Sequence, residues 1–428
     1  MSFDVGINVL ETDGRATPAI QAAPTSVAAF LGRTTRGVPD QPVRITNPAQ
    51  FRTRFGTHRA DSYLAYAIDG FFLNGGREAY VSRIVGTGSR AASATLNDRQ
   101  ATPQATLRVV AGFRGAEDPG DWGTRLRIDV RDDALGNATI AADVATGATS
   151  LVITSLVGFQ VGTVVRISDG ATTNYRRLTA VEPATQTIRW AASTPLGTAL
   201  TAATTQIATA EFRIIVRYQA TTTADFAVVE DWRNLTMETD AANYALTRIN
   251  HPQTGSTYIV LRDESDTVGS GVENPLVVSS RALSGGTEVA AAAATFVGSA
   301  ADKRGLHAFD TRQVQLLGIP DAHSFTGAGA ATARETVVRA ALDYCAQRND
   351  CTFVGVTPDR GAPAGTITRA LSDYTESANS YLATCKEYAA RFHGRKVFGA
   401  LYSGWLQVND PIGVGAAANR FVPPDGHI

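Results

Sequence analysis

Histidine is the side chain best suited to acid–base or metal chemistry near neutral pH. This 428-residue chain has six, His58, His251, His307, His323, His393 and His427. They are scattered, and no H-E-x-x-H or other short spacing sets two on one helix face to share a metal. His307 stands near Asp310 and His323 near Asp321, each in a segment expected to be loop. Paired carboxylates for general acid–base work can meet wherever strand ends converge, but no segment sets two beside a pocket signature. The chain contains no G-x-x-x-x-G-K-[ST], no G-x-G-x-x-G after a strand and no G-x-S-x-G nucleophile turn. Cys345, Cys351 and Cys385 are odd in number and clustered late, which fits neither a disulfide framework nor zinc spacing. Buried thiols are the expectation. The residues therefore predict no enzyme, with no catalytic group, cofactor or metal.

Aromatic residues carry more information. Tyr63, Tyr66, Phe71 and Phe72 fall in one helical segment and are expected to fill core. Trp405, with Leu401, Tyr402 and Leu406, follows a strand and precedes Asp410-Pro411. Tyr402 and Trp405 are candidate packing or interface anchors.

The elements that would position these groups follow from periodicity. Residues 1–25 alternate through VGINVLE and continue into a proline-marked arm, with Val5, Ile7 and Val9 on one face of an extended strand. VAAFLGRT (27–34) is an apolar strand, and Asn47-Pro48 carries the cap and first-position chemistry of a helix start. SYLAYAIDGFFLNGG (62–76) is an amphipathic helix stopped by Gly75 and Gly76, both expected at positive φ; REAYVSRIVG (77–86) is a strand. From about 90 to 220 the composition shifts to Thr, Ala and Val with Gly and Asp turns. TRLRIDVRD, TSLVITS, GTVVRISDG, NYRRLTAVE, TIRWAAST and EFRIIVRYQ read there as short strands. Helical pattern returns at 239–250, 332–348 and 367–393, with strands at 256–263, 313–321, 351–359 and within 396–411. The last segment, GVGAAANRFVPPDGHI, reads as loop without a packed element.

This order predicts an α/β (α+β) core over 26–89 and 221–428, an inserted all-β domain over 90–220, and the extended arm of 1–25. Charge narrows the function classes. The chain has 39 basic and 40 acidic residues, a net charge of -1 and only 18% charged residues, against about 25% in ordinary soluble domains. A large basic face for direct nucleic-acid binding is excluded as the main work, and a surface covered by other protein fits better. The N-terminus lacks the basic and apolar regions of a signal peptide. No run approaches the roughly 20 apolar residues of a membrane span, so membrane insertion is not expected and synthesis in a cytoplasm is.

Several segments in order resemble the sheath protein of contractile phage tails, injection systems and pyocins. They are PTSVAAFLGRTTRG (24–37), PVRITNPAQFRTRFG (42–56), SYLAYAIDGFFLNGGREAYVSRIVG (62–86), PGDWGTRLRIDV (119–130), VVEDWRNLTM (228–237), NYALTRIN (243–250), LSGGTE (283–288), RGLHAFD with VQLLGIPD (304–321), ALDYCAQRNDCTFVGVTP (341–358), SGWLQVNDP (403–411) and VPPDGHI (422–428). No single block is specific, but the ordered set is. The resemblance implies a subunit that assembles with copies of itself, in sixfold rings or a helix, around an inner tube protein, with baseplate and terminator proteins as further partners. It implies contraction driven by a metastable extended packing without nucleotide hydrolysis, in a virion tail or phage-tail-like particle. It places Val5, Ile7 and Val9 in a strand donated to a neighbour and 90–220 on the outside. Family members continue past the VPPDGH segment, so a chain cut short at Ile428 is the expectation, and a monomer for the 428-residue form alone. A host-surface or glycan-binding module carried by the β insertion, or a baseplate or terminator relative, is the alternative.

Overall fold

The computed structural model describes residues 27–265, 272–359, 381–394 and 397–427. The expected N-terminal arm, with Val5, Ile7 and Val9, and most of the expected 367–393 helical stretch lie outside the described residues.

Val27–Gly32 (β1) is apolar at every position but its terminal glycine and buried at all six. Such a run fits a strand covered on both faces, as in parallel sheets. Alternation then divides its side chains. Val27, Ala29 and Leu31 face a core with Phe296, Phe309, Val338 and Ala341, whereas Ala28 and Phe30 face Ile45, Phe55, Leu64, Ile68 and Phe71. Val43–Ile45 (β2) precedes the helix Pro48–Phe55 (α1), and Leu64–Leu73 (α2) leads into Glu78–Arg83 (β3). Leu316–Gly318 (β4), the helix Ala330–Arg348 (α3), Thr352–Val356 (β5), the helix Tyr381–Ala390 (α4) and Gly399–Tyr402 (β6) complete the layer. The strand order is β2-β3-β1-β4-β5-β6. Every pairing is parallel except β2 with β3.

The helix starts and stops have local causes. Asn47 Oδ1 accepts the Gln50 amide at 2.9 Å, and Pro48 occupies the first turn, where its missing N–H costs nothing. α2 ends where the Gly76 amide donates to the Phe71 carbonyl at 2.8 Å. Gly75 adopts φ 93°, as expected; Gly76 does not adopt positive φ. Gly76 is needed for space: the Phe71 ring lies 2.4 Å from where its Cβ would stand.

Every strand expected between 90 and 220 is present. Leu126–Asp132 and Phe212–Tyr218 are central in a four-stranded antiparallel sheet with Ala227–Leu235 and Val278–Ala282. Ser93–Asn97, Ala105–Phe113 and Ile259–Asp263 form a further antiparallel sheet, and the two share a core around Trp122, Leu126, Ile128 and Phe212. Antiparallel pairing therefore runs on past residue 220 to Ala282. A six-stranded antiparallel sheet (Asn137–Thr139, Gln206–Thr209, Val164–Ser168, Thr173–Glu182, Thr187–Trp190, Ser150–Val152) encloses its own core of Ile153, Val165, Ile167, Ile188 and Trp190. Mixed sheets with helices make this an α+β fold.

Two expectations are corrected. The 239–250 helix is only Ala245–Ile249. The closing segment is packed rather than loop: Asn419–Val422 pairs antiparallel with Leu406–Asn409, and Pro424–Gly426 form a buried 3-10 turn. Turn-forming residue types concealed a segment whose burial comes from its fit to α2. No helix among the described residues is long and apolar enough to cross a membrane.

Candidate functional site

In open α/β sheets, ligands sit outside the carboxyl ends of the strands, where neighbouring connections diverge to opposite sides. Here that point lies between β1 and β4. Asp321, on the short turn after β4, is fully buried. Its Oδ2 accepts the Arg33 amide at 2.6 Å, and its Oδ1 accepts the Tyr63 amide at 2.6 Å. The Ser62 hydroxyl lies 2.9 Å from Oδ2. One carboxylate thus ties the end of β1, the start of α2 and the end of β4. Burial pushes its pKa up, and these donors with the Arg33 charge pull it back.

The rest of the crevice is filled by the chain's own tail. The Pro424–Gly426 turn packs on α2 and β5. A Cβ on Gly426 would come within 2.0 Å of the Ala67 carbonyl, and one on Gly70 would lie 2.6 Å from the His427 ring. Asp425 is buried with Oδ1 unpartnered, and burial, with the Asp321 charge adding, raises its pKa to about 8. The donors converge on Asp321, so Asp425 is the carboxyl that keeps its proton at neutral pH. His323, two residues after Asp321, is half-buried with its Nδ1 enclosed and unpartnered; desolvation and then the Arg334 charge lower its pKa to about 3, so it is a neutral ring.

Trp405 caps this cluster. Its Nε1 donates to the Thr357 carbonyl at 3.0 Å, and it meets Tyr63 and His323 edge-on at 5.5 and 5.2 Å. The hairpin behind it is fastened by Tyr66 Oη donating to Asp410 Oδ1 at 2.6 Å, and by Arg420 stacked on Tyr63 at 4.5 Å. Tyr402 sits apart on the edge strand β6, 39% exposed. Of the two candidate anchors, Trp405 is engaged inside the subunit and Tyr402 is at the surface.

A second buried polar cluster joins the parallel layer to the antiparallel sheets. The Arg83 guanidinium, fully buried at the end of β3, pairs with Asp118 and Glu288, each at 2.6 Å, and donates to the Gly37 carbonyl at 2.9 Å. Arg59 also reaches Glu288, at 3.0 Å, and pairs with Asp61 at 2.8 Å. Beside it Arg36 stacks on Trp122, Tyr218 and Tyr258 and donates to the Thr53 carbonyl. Removing one partner from such a network leaves an unpaired buried charge.

His307 Nδ1 lies 3.3 Å from Asp310, but Lys303 and Tyr344 also hold Asp310. Among the described residues no group of three or more His, Cys, Asp or Glu side chains can hold a metal. A cavity of about 680 Å³ opens beside the six-stranded sheet, lined by Val157, Val161, Arg177, Glu238, Asp240 and Asn274. Burial, with the Glu273 charge next, raises Glu238 there to about 7. Sequence spacing brought up Asp321 and His323 only as a loop pair. It missed Asp425, Arg83, Asp118 and Glu288, whose sole signal is charge in otherwise apolar or turn context.

The geometry defines an α+β scaffold whose usual ligand position is filled from within. Two solved structures are similar to the chain. A sheath tail protein from Listeria innocua matches at 13% identity and a TM-score of 0.37, over 79% of this chain and 49% of that one. A sheath tail protein from Desulfitobacterium hafniense matches at 8% identity and a TM-score of 0.34, over 77% and 49%. The chain thus spans about half the length of each. No protein-family model matches it, nor does any curated protein.

Proposed function

We propose that the chain is a structural subunit of a contractile tail sheath, which polymerises around an inner tube and contracts to drive that tube through a target cell envelope. The observation that carries this is spatial. Most of the sequence blocks that resemble sheath proteins, far apart along the chain, meet in the parallel layer and its tail, whereas 119–130, 228–237, 243–250 and 283–288 fall in or beside the antiparallel sheets. Block 24–37 supplies β1, block 42–56 supplies β2 and α1, and block 62–86 supplies α2 and β3. VQLLGIPD supplies β4 and Asp321, ALDYCAQRNDCTFVGVTP the end of α3 with β5, and SGWLQVNDP and VPPDGHI the hairpin and the tail that fills the crevice. A likeness confined to one motif would not converge in this way.

On this reading the arm of residues 1–25 pairs with a neighbouring copy, and the region 90–220 is an inserted outer domain. Partners are further copies in sixfold rings or a helix, the tube, and baseplate and terminator proteins. The subunit performs no catalysis, and metastable packing supplies the energy of contraction. It is made in a bacterial cytoplasm and resides in a virion tail or phage-tail-like particle. Co-expression of the full-length encoded protein with its tube protein tests this, with sixfold polymers around the tube expected in negative stain. A full-length protein that stays monomeric alone and with tube overturns it.

A second reading, a host-surface or glycan-binding role for the six-stranded sheet, is favoured by one observation. Val157 and Val161 are 77% and 65% exposed at the rim of the 680 Å³ cavity. Saturable binding of the chain to host cells, lost in a Val157→Asp, Val161→Asp double variant, would support it.

A further inference from the structure

α3 ends one turn after Cys345, and Asn349, in the left-handed conformation at φ 59°, reverses the chain. The reversal returns Cys351, at the entry to β5, against the helix end. The two Sγ atoms are 3.4 Å apart, and both side chains are buried, Cys345 completely and Cys351 to 4% exposure. Cys385 stands apart, its Sγ 3.2 Å from the Thr357 hydroxyl. Two thiols in van der Waals contact need close by only about 1.4 Å to reach disulfide length, and the turn between them already holds their backbones together.

We propose that Cys345 and Cys351 form a peroxide-oxidisable dithiol that closes a disulfide across the α3–β5 turn. The roles follow from the surroundings. The hydrogen-bonding contact between the two sulfurs lowers the Cys351 pKa against the opposing effect of burial, and the Arg348 charge lowers it further. The same contact, with burial, raises Cys345. Cys351, the less completely covered sulfur of the pair, is assigned as the one that attacks. Its sulfur attacks one peroxide oxygen, the S–O bond forms as the O–O bond breaks, and the released hydroxide takes the proton Cys351 gave up, leaving as water. The Cys345 sulfur then attacks Cys351 Sγ. The S–S bond forms, the S–O bond breaks, and a second water leaves with the Cys345 proton. Two thiols are oxidised by two electrons, and one hydrogen peroxide is reduced to two waters. The small oxidant suits a nearly covered sulfur.

The test treats the reduced, folded 428-residue chain with stoichiometric hydrogen peroxide, then removes the oxidant, unfolds the chain and alkylates it. Intact mass is expected to fall by about 2 Da before alkylation, with alkylatable thiols dropping from three to one, and a peptide map should link Cys345 to Cys351. Cys385→Ser should leave the reaction unchanged. Cys345→Ser should abolish the link and leave a sulfenic acid on Cys351 that dimedone traps. Phenylarsine oxide offers a measurement on the unmodified chain that needs no variant: one equivalent should protect Cys345 and Cys351 together. Retention of all three thiols after peroxide, a link through Cys385, or links only between chains would overturn the proposal.

Discussion

Asp425 is a carboxyl placed where its charge has no partner. Its pKa of about 8 in the fold lies above its ordinary 3.8, so folding favours the protonated form. The stability gained from that proton is complete below pH 3.8 and is lost as pH rises through 8. His323 runs the opposite way: neutral in the fold to about pH 3, its contribution is complete above its ordinary 6.5. Glu238, raised to about 7, has lost most of its contribution by neutrality. The comparison of wild type with Asp425→Asn between pH 7 and 8 isolates Asp425. Wild type should lose about 1 kcal/mol relative to the variant over that interval, measured by urea denaturation at each pH. A difference that does not change with pH would show Asp425 to be ionised in the fold. Arg83 follows the same rule of buried charge, but with its partners in place.

At the scale of elements, the tail is held by shape more than by polar bonds. Gly426 meets the Ala67 carbonyl so closely that any side chain there must unseat the turn. Gly426→Val should cost about 1–3 kcal/mol as overpacking, redden Trp405 emission and open the hairpin 406–422 to protease. Gly197→Ala, in open space, should change none of these. An unaltered proteolytic pattern in Gly426→Val would show the tail to be a passive cover. The parallel layer was largely legible beforehand for a physical reason. β1 is apolar because both its faces are buried, and α1 shows its cap and proline in adjacent residues. The tail was not legible, because Pro-Pro-Asp-Gly is turn chemistry wherever it occurs and its burial depends on α2, more than 340 residues earlier. Asp321 and Arg83 escaped for the same reason. A buried charge is recognisable only by partners, and theirs lie 258 and 205 residues away. The contact of Cys345 with Cys351 turns on one left-handed asparagine that spacing alone does not disclose.

For the molecule as a whole, the proposed function turns on contacts between copies. On the sheath reading, the arm is the part that reaches a neighbour. Replacing Val5, Ile7 and Val9 with Asp should abolish polymers of the full-length protein around tube, scored in negative stain. The melting temperature of the isolated 428-residue chain, measured alongside, separates loss of assembly from loss of fold. Polymers that survive the triple change would remove the arm from assembly. The six-stranded sheet has a separate core, so substitutions there, at Ile167 or Trp190, act on that sheet and leave the parallel layer in place.

The pairing of β1 with β4 carries a consequence for biosynthesis. Arg33 and Asp321 are 288 residues apart, and ribosomes add roughly 5–20 residues per second. For about 15–60 s after β1 emerges, its apolar edge has no β4 to receive it. The antiparallel sheets can mature during that interval, but the parallel layer is completed only when Gly399–Tyr402 and the Pro424–Gly426 turn have emerged. The nascent chain exposes that edge in the meantime, so slower growth or abundant chaperone should raise the yield of properly closed protein.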